Sequence, residues 1–135
     1  MLALLPVAAQ AAEPITITEA WSPPSLSQTT AVGFFYIASS DDDAVTGAHS
    51  DCCTAVEIHE HIMDGDVMRM RRVEKLALPA GKDVALQPGG YHVMLIGLKN
   101  PTSEGETIKA TLEFEHAPPQ LVTFTVRPAT SHGHH

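Results

Sequence analysis

Apolar and polar residues alternate along much of the chain with a period of two. Thr107–Phe114 runs T-I-K-A-T-L-E-F, and the end of Gln120–Val126 runs V-T-F-T-V. Such alternation marks strands with one buried face, and apolar residues at helical spacing are scarce. Nine strands are expected: Ile15–Ala20, Ala31–Ser39, Ala44–His49, Ala55–Met63, Asp66–Val73, Asp83–Leu86, His92–Leu98, Thr107–Glu115 and Gln120–Val126. The stretches between them carry turn chemistry: Ser22-Pro23-Pro24-Ser25, Asp41-Asp42-Asp43, Pro79-Ala80-Gly81, Pro88-Gly89-Gly90, Asn100-Pro101 and Pro118-Pro119. The acidic triplet reads as a solvated turn. This many short strands predict an all-β fold, either a β-sandwich or a small Greek-key barrel.

Composition narrows the function. A chain of 135 residues is natural as a single domain with one core. Charged residues are 18% of it, against about 25% in an average protein. The net charge of -8 argues against nucleic acid and against an anionic membrane surface, since few Lys or Arg are available to meet phosphates. Against that sparing background the chain carries eight His and five Met, four of the Met between Met63 and Met94. Imidazole and thioether in excess point to a metal.

The ends divide the chain further. Residues 2–9, LALLPVAA, followed by Ala9-Gln10-Ala11, resemble the end of a secretory signal peptide, although the basic n-region is missing. The run is far short of the ~20 residues that span a bilayer. Residues 1–12 are therefore expected to be a signal remnant, 13–128 a β domain and 129–135 a flexible His-rich tail. The protein is expected to be exported, soluble and periplasmic, with no membrane span. Cys52 and Cys53 are adjacent, which excludes an ordinary long-range disulfide between them. Small buried hydrophobes, a strained vicinal disulfide and an accessory metal or redox role all stay open.

A hairpin concentrates the chemistry. Asp64-Gly65 is a strong two-residue turn signal. With that turn, His59 faces Met70, His61 faces Met68, Ile62 faces Val67 and Glu60 faces Arg69. One face then holds two imidazoles and two thioethers. His92 and Met94, two apart on a strand, project from one face and add two more donors. Thioethers are soft and select Cu(I) over zinc, calcium or magnesium, and imidazole suits copper in both oxidation states. Neutral His and Met also hold Cu(I) where thiolates would be oxidised. A blue-copper centre needs a Cys thiolate among its ligands, and no Cys lies near His92 or Met94.

His59, ten residues, Met70, twenty-one residues, then His92-Val93-Met94 resembles the H-x10-M-x21-H-x-M signature of the PCuAC family of periplasmic copper chaperones. Ala20-Trp21-Ser22-Pro23, Ala31–Ile37, Val56–His59 and Gly65–Arg71 also look like that family, so the resemblance runs from about Ile15 to Val126. It implies a cupredoxin-like β-barrel that binds one Cu(I) through His59, Met70, His92 and Met94. It implies delivery to respiratory cytochrome oxidase, at the CuA centre of subunit II, with a thiol-reducing protein or second copper chaperone as a further partner. His61 and Met68 flank the signature as auxiliary donors. His132, His134 and His135 are candidates for a Cu(II) tail, since some family members carry such an extension. His49 and His116 read as surface residues and Met63 as ordinary.

The alternative from the same residues is a periplasmic copper storage or tolerance protein with no dedicated acceptor. An enzyme is not expected: neither Gly-x-Ser-x-Gly nor His-Glu-x-x-His occurs.

Overall fold

In the computed structural model, residues 14–25 and 29–128 are described. The expected signal remnant and the tail with His132, His134 and His135 lie outside them. Ten strands follow one another: β1 (Ile15–Ser22), β2 (Thr30–Ser39), β3 (Asp43–His49), β4 (Ala55–Asp64), β5 (Val67–Val73), β6 (Leu76–Leu78), β7 (Asp83–Leu86), β8 (His92–Ile96), β9 (Thr107–Phe114) and β10 (Gln120–Val126). Nine correspond to the expected strands. The tenth, β6, has only three residues before Pro79, too few for a readable period. It exists because β3 offers an edge, pairing Asp43–Val45 with Leu76–Leu78.

The hydrogen-bonded order is β5-β4-β8-β2-β1-β10-β9-β3-β6, and a β3–β4 pairing joins the two halves into a cupredoxin-like β-sandwich. All pairings are antiparallel except β1 with β10. β7 and β8 share one edge of β2, β8 along Thr30–Gly33 and β7 along Phe35–Ala38.

The alternation read in the sequence sorts the faces. Ile108, Ala110 and Leu112 of β9 and Val122, Phe124 and Val126 of β10 are buried, while Leu121, Thr123 and Thr125 are exposed. Val93 and Leu95 of β8 enter the same core, where Phe35 and Phe124 meet with ring centroids 5.9 Å apart. Gly33 is required there, since a Cβ at that position would stand 2.5 Å from the Phe124 ring. The acidic turn is not simply solvated. Asp43 accepts backbone N–H bonds from Ala44, His116 and Ala117, and Asp42 accepts one from Ala80. Cys52 and Cys53 lie in the turn between β3 and β4 as free thiols. Cys53 is buried, and that burial, with Cys52 beside it, pushes its thiol up to about 12. It is an inert core residue at neutral pH.

One element stands apart. The last rung between β4 and β8 is His59↔His92, and β4 meets β3 only at Val56↔Ala48. Beyond His59, β4 pairs with β5 alone, down to Asp64↔Val67. The β4–β5 hairpin is therefore a two-stranded arm projecting from the barrel rim.

Candidate metal centre

The register of this arm differs from the expected one. The turn residues are Gly65-Asp66, not Asp64-Gly65, because Asp64 pairs with Val67. Gly65 has φ 69° and Asp66 does not have positive φ, so the glycine occupies the first central position of a type II′ turn. Each cross-strand partner is thereby displaced by two residues. His61, not His59, lies opposite Met70, Met63 opposite Met68 and His59 opposite Arg72. Glu60 lies opposite Arg71 rather than Arg69, and Ile62 opposite Arg69 rather than Val67. A slip of one residue would have turned every side chain over, whereas a slip of two leaves the faces intact. His59, His61, Met68 and Met70 still share a face, and Met63 joins them. The other face zips its charges together, Arg71 to Glu60 and Arg69 to Asp64, both with Nε at 3.1 Å.

Four of the candidate donors meet where the arm leaves the barrel. His92 is only 2% exposed because the arm covers it. Its ring lies 4.9 Å from that of His61 and 6.0 Å from that of His59, between centroids. His92 Nε2 stands 3.1 Å from Met70 Sδ, and His92 Nδ1 stands 3.1 Å from the Gly90 carbonyl oxygen. A carbonyl only accepts, so Nδ1 carries the proton. Burial, opposed by the Gly90 bond and aided by His61 and His59, holds this imidazole below its ordinary pKa. The neutral ring therefore aims the Nε2 lone pair at the Met70 sulfur. Both atoms are electron-pair donors of the kind that suits a soft cation.

His59 is arranged likewise. Its Nε2 is 2.9 Å from Glu57 Oε1, so the N–H there donates to a carboxylate, and Nδ1 is buried with no hydrogen-bond partner. Histidines that bind metals commonly give their second ring N–H to a carboxylate or carbonyl, which fixes the tautomer and raises ligand basicity. Glu57 and Gly90 fill those two places. Neither was picked out from the sequence. For Glu57 the signal was available, since residues two apart on a strand share a face. Glu57 also brings a negative charge to the cluster.

Met94 is on the same face of β8 as His92 and lies opposite Glu57 of β4 and Val32 of β2, half-buried. Met68 is two rungs nearer the arm tip than Met70. His61 Nδ1, like that of His59, is buried without a partner. His49 and His116 are exposed beside Glu113 and Glu115, at 3.2 Å and 3.7 Å. Among the described residues no three His, Cys, Asp or Glu side chains form a metal set on their own. A groove of about 1010 Å³ lined by His49, Lys99 and Lys109 contains none of the donors at the rim.

The chain is thus a β-sandwich with His and Met side chains gathered at one rim. Solved structures agree on the fold. A copper-bound PCuAC domain from PmoF2 superposes with a TM-score of 0.71 at 24% identity, covering 85% of this chain and 93% of that one. CuI-DR1885 from Deinococcus radiodurans matches with a TM-score of 0.67 at 29% identity, covering 90% of this chain and 84% of that one. By sequence, residues 15–126 match the family model named LpqE-like, described as "Putative lipoprotein LpqE-like". The protein "Putative lipoprotein Lxx21020" of Leifsonia xyli subsp. xyli (strain CTCB07) is 31% identical over 129 residues, 91% of this chain and 78% of that protein. The chain belongs to the LpqE-like family, with the fold of PCuAC domains.

Proposed function

We propose that this protein is an exported Cu(I) carrier, not an enzyme, and that copper is its cargo. His59, Met70, His92 and Met94 hold the ion, with Glu57 and the Gly90 carbonyl orienting the two imidazoles. The observation that carries this reading is the His92 Nε2–Met70 Sδ approach of 3.1 Å on a ring whose other nitrogen is bound to Gly90. The similarity to CuI-DR1885 supports copper as the metal and Cu(I) as its state. The lipoprotein names of the family and of the Leifsonia relative support a place outside the cytoplasm, soluble or membrane-anchored. The periplasm is the compartment we infer.

A carrier must release its cargo. Met70 is 52% exposed on a two-stranded arm, so one of the four ligands is open to an incoming donor. Ligand exchange can begin there without opening the core. The acceptor we infer is the CuA centre of cytochrome oxidase subunit II, with a thiol-reducing partner.

Chelator competition with Cu(I) under reductant tests the site. Met70→Leu and Met94→Leu should each weaken binding about tenfold or more, a loss of about 1.4 kcal/mol or more. Unchanged affinity in the double variant would overturn the reading. Loss of oxidase assembly in copper-limited cells lacking the gene would support delivery; intact assembly would overturn it.

A further inference from the structure

Three of the chain's five methionines stand on the arm and face water: Met63, Met68 and Met70 are 62%, 57% and 52% exposed. Methionine ordinarily fills gaps in cores, and water contact does nothing for a thioether. Only one of these three belongs to the inner ligand set. The other two, Met63 and Met68, are directly opposite each other at the last site-face rung before the turn. Directly opposite residues hold their Cβ atoms about 4.5–5.5 Å apart, within reach of two flexible thioether side chains. His61 follows Met63 inward on the same face, and its Nδ1 is buried with no hydrogen-bond partner. The arm's opposite face is sealed by the Glu60–Arg71 and Asp64–Arg69 ion pairs. The soft donors are thus gathered on one face, in a row that leads from the tip to His92.

We propose that Met63, Met68 and His61 form a second, weaker Cu(I) position at the arm tip, through which the ion enters and leaves the inner site. This rests on the carrier reading above. Two thioethers and one imidazole are neutral donors suited to Cu(I). Open to solvent on both strands, they hold the ion less tightly than the covered His92 rim. His61 lies between the two positions, opposite Met70 and with its ring against that of His92. It can belong to the outer set while Met70 belongs to the inner one.

The test uses the full chain with methyl-labelled methionine, titrated with Ag(I) as a redox-inert stand-in and then with Cu(I) under reductant. The first equivalent should shift the Met70 and Met94 methyl signals, and the second, weaker one those of Met63 and Met68 together. In Met63→Leu/Met68→Leu the first equivalent should bind within about twofold of the parent, the second should weaken about tenfold or more, and Cu(I) transfer to a competing chelator should slow several-fold. Both positions are exposed, so the variant keeps its core. Met63 and Met68 signals unmoved by a second equivalent would overturn the tip position while leaving the carrier reading intact. So would a variant that still takes two equivalents and transfers at the parent rate, which would mark the exposed methionines as an apolar contact surface instead. A first equivalent that moves neither Met70 nor Met94 would overturn the inner site, and the tip proposal with it.

Discussion

In the site we propose, Glu57 sets metal affinity without touching the metal. Its carboxylate accepts a hydrogen bond from His59 Nε2–H and so leaves the lone pair on the buried Nδ1. Glu57→Gln keeps the shape but removes the charge that favours this tautomer and offsets the cation. We expect Cu(I) affinity to fall about 10–100-fold, the usual cost of losing such a partner, as read by chelator competition. His92 makes a second prediction, for the metal-free protein. Its pKa is below the ordinary 6.5, so between the two values the unfolded chain binds a proton that the folded chain does not. Stability then rises with pH through that window and is complete above 6.5. Urea titrations of the metal-free protein at stepped pH should show stability falling as pH drops below the ordinary value, with a smaller fall in His92→Phe.

At the scale of elements, two devices fix how strands begin and end. The type II′ turn at Gly65-Asp66 sets the arm register. A side chain at Gly65 has open space around it but an unfavourable backbone, so Gly65→Val should fray the arm by about 1–2 kcal/mol. Amide hydrogen exchange should rise across Glu60–Arg71 and leave β9 and β10 protected. Asp43 is the other device. Three backbone N–H groups, from the start of β3 and from the β9–β10 connection, converge on one carboxylate. Asp43→Ala strands those donors and should cost about 1–3 kcal/mol in urea unfolding. An acidic triplet looks like a solvated turn in sequence because two of its partners, His116 and Ala117, are more than seventy residues away.

For the molecule as a whole, a packed barrel carries a two-stranded, exposed arm. The barrel's packing tolerates no added volume at β2. Gly33→Ala would drive a methyl into Phe124, which is wholly buried, and should destabilise the whole domain by about 1–3 kcal/mol in a single cooperative transition. The arm lies outside that core, with β5 exposed along most of its length. In the carrier reading we propose, metal is exchanged on the arm while the barrel holds His92 and Met94 in place.

Local pattern was enough for the strands, the all-β class and the sharing of one face by His59, His61, Met68 and Met70, because strand periodicity is a property of neighbours in sequence. It was also enough to propose a soft metal, because ligand softness belongs to residue types. Tertiary structure decided what depends on distant partners. It placed Gly65 rather than Asp64 at the first turn position, and so gave Met70 to His61 and Met63 to Met68. It covered His92 with the arm and fixed its tautomer on Gly90. It ended the β4–β8 ladder at His59, which left the arm free and its methionines in water. Register and burial are set by which chain segments meet, and no single segment contains that information.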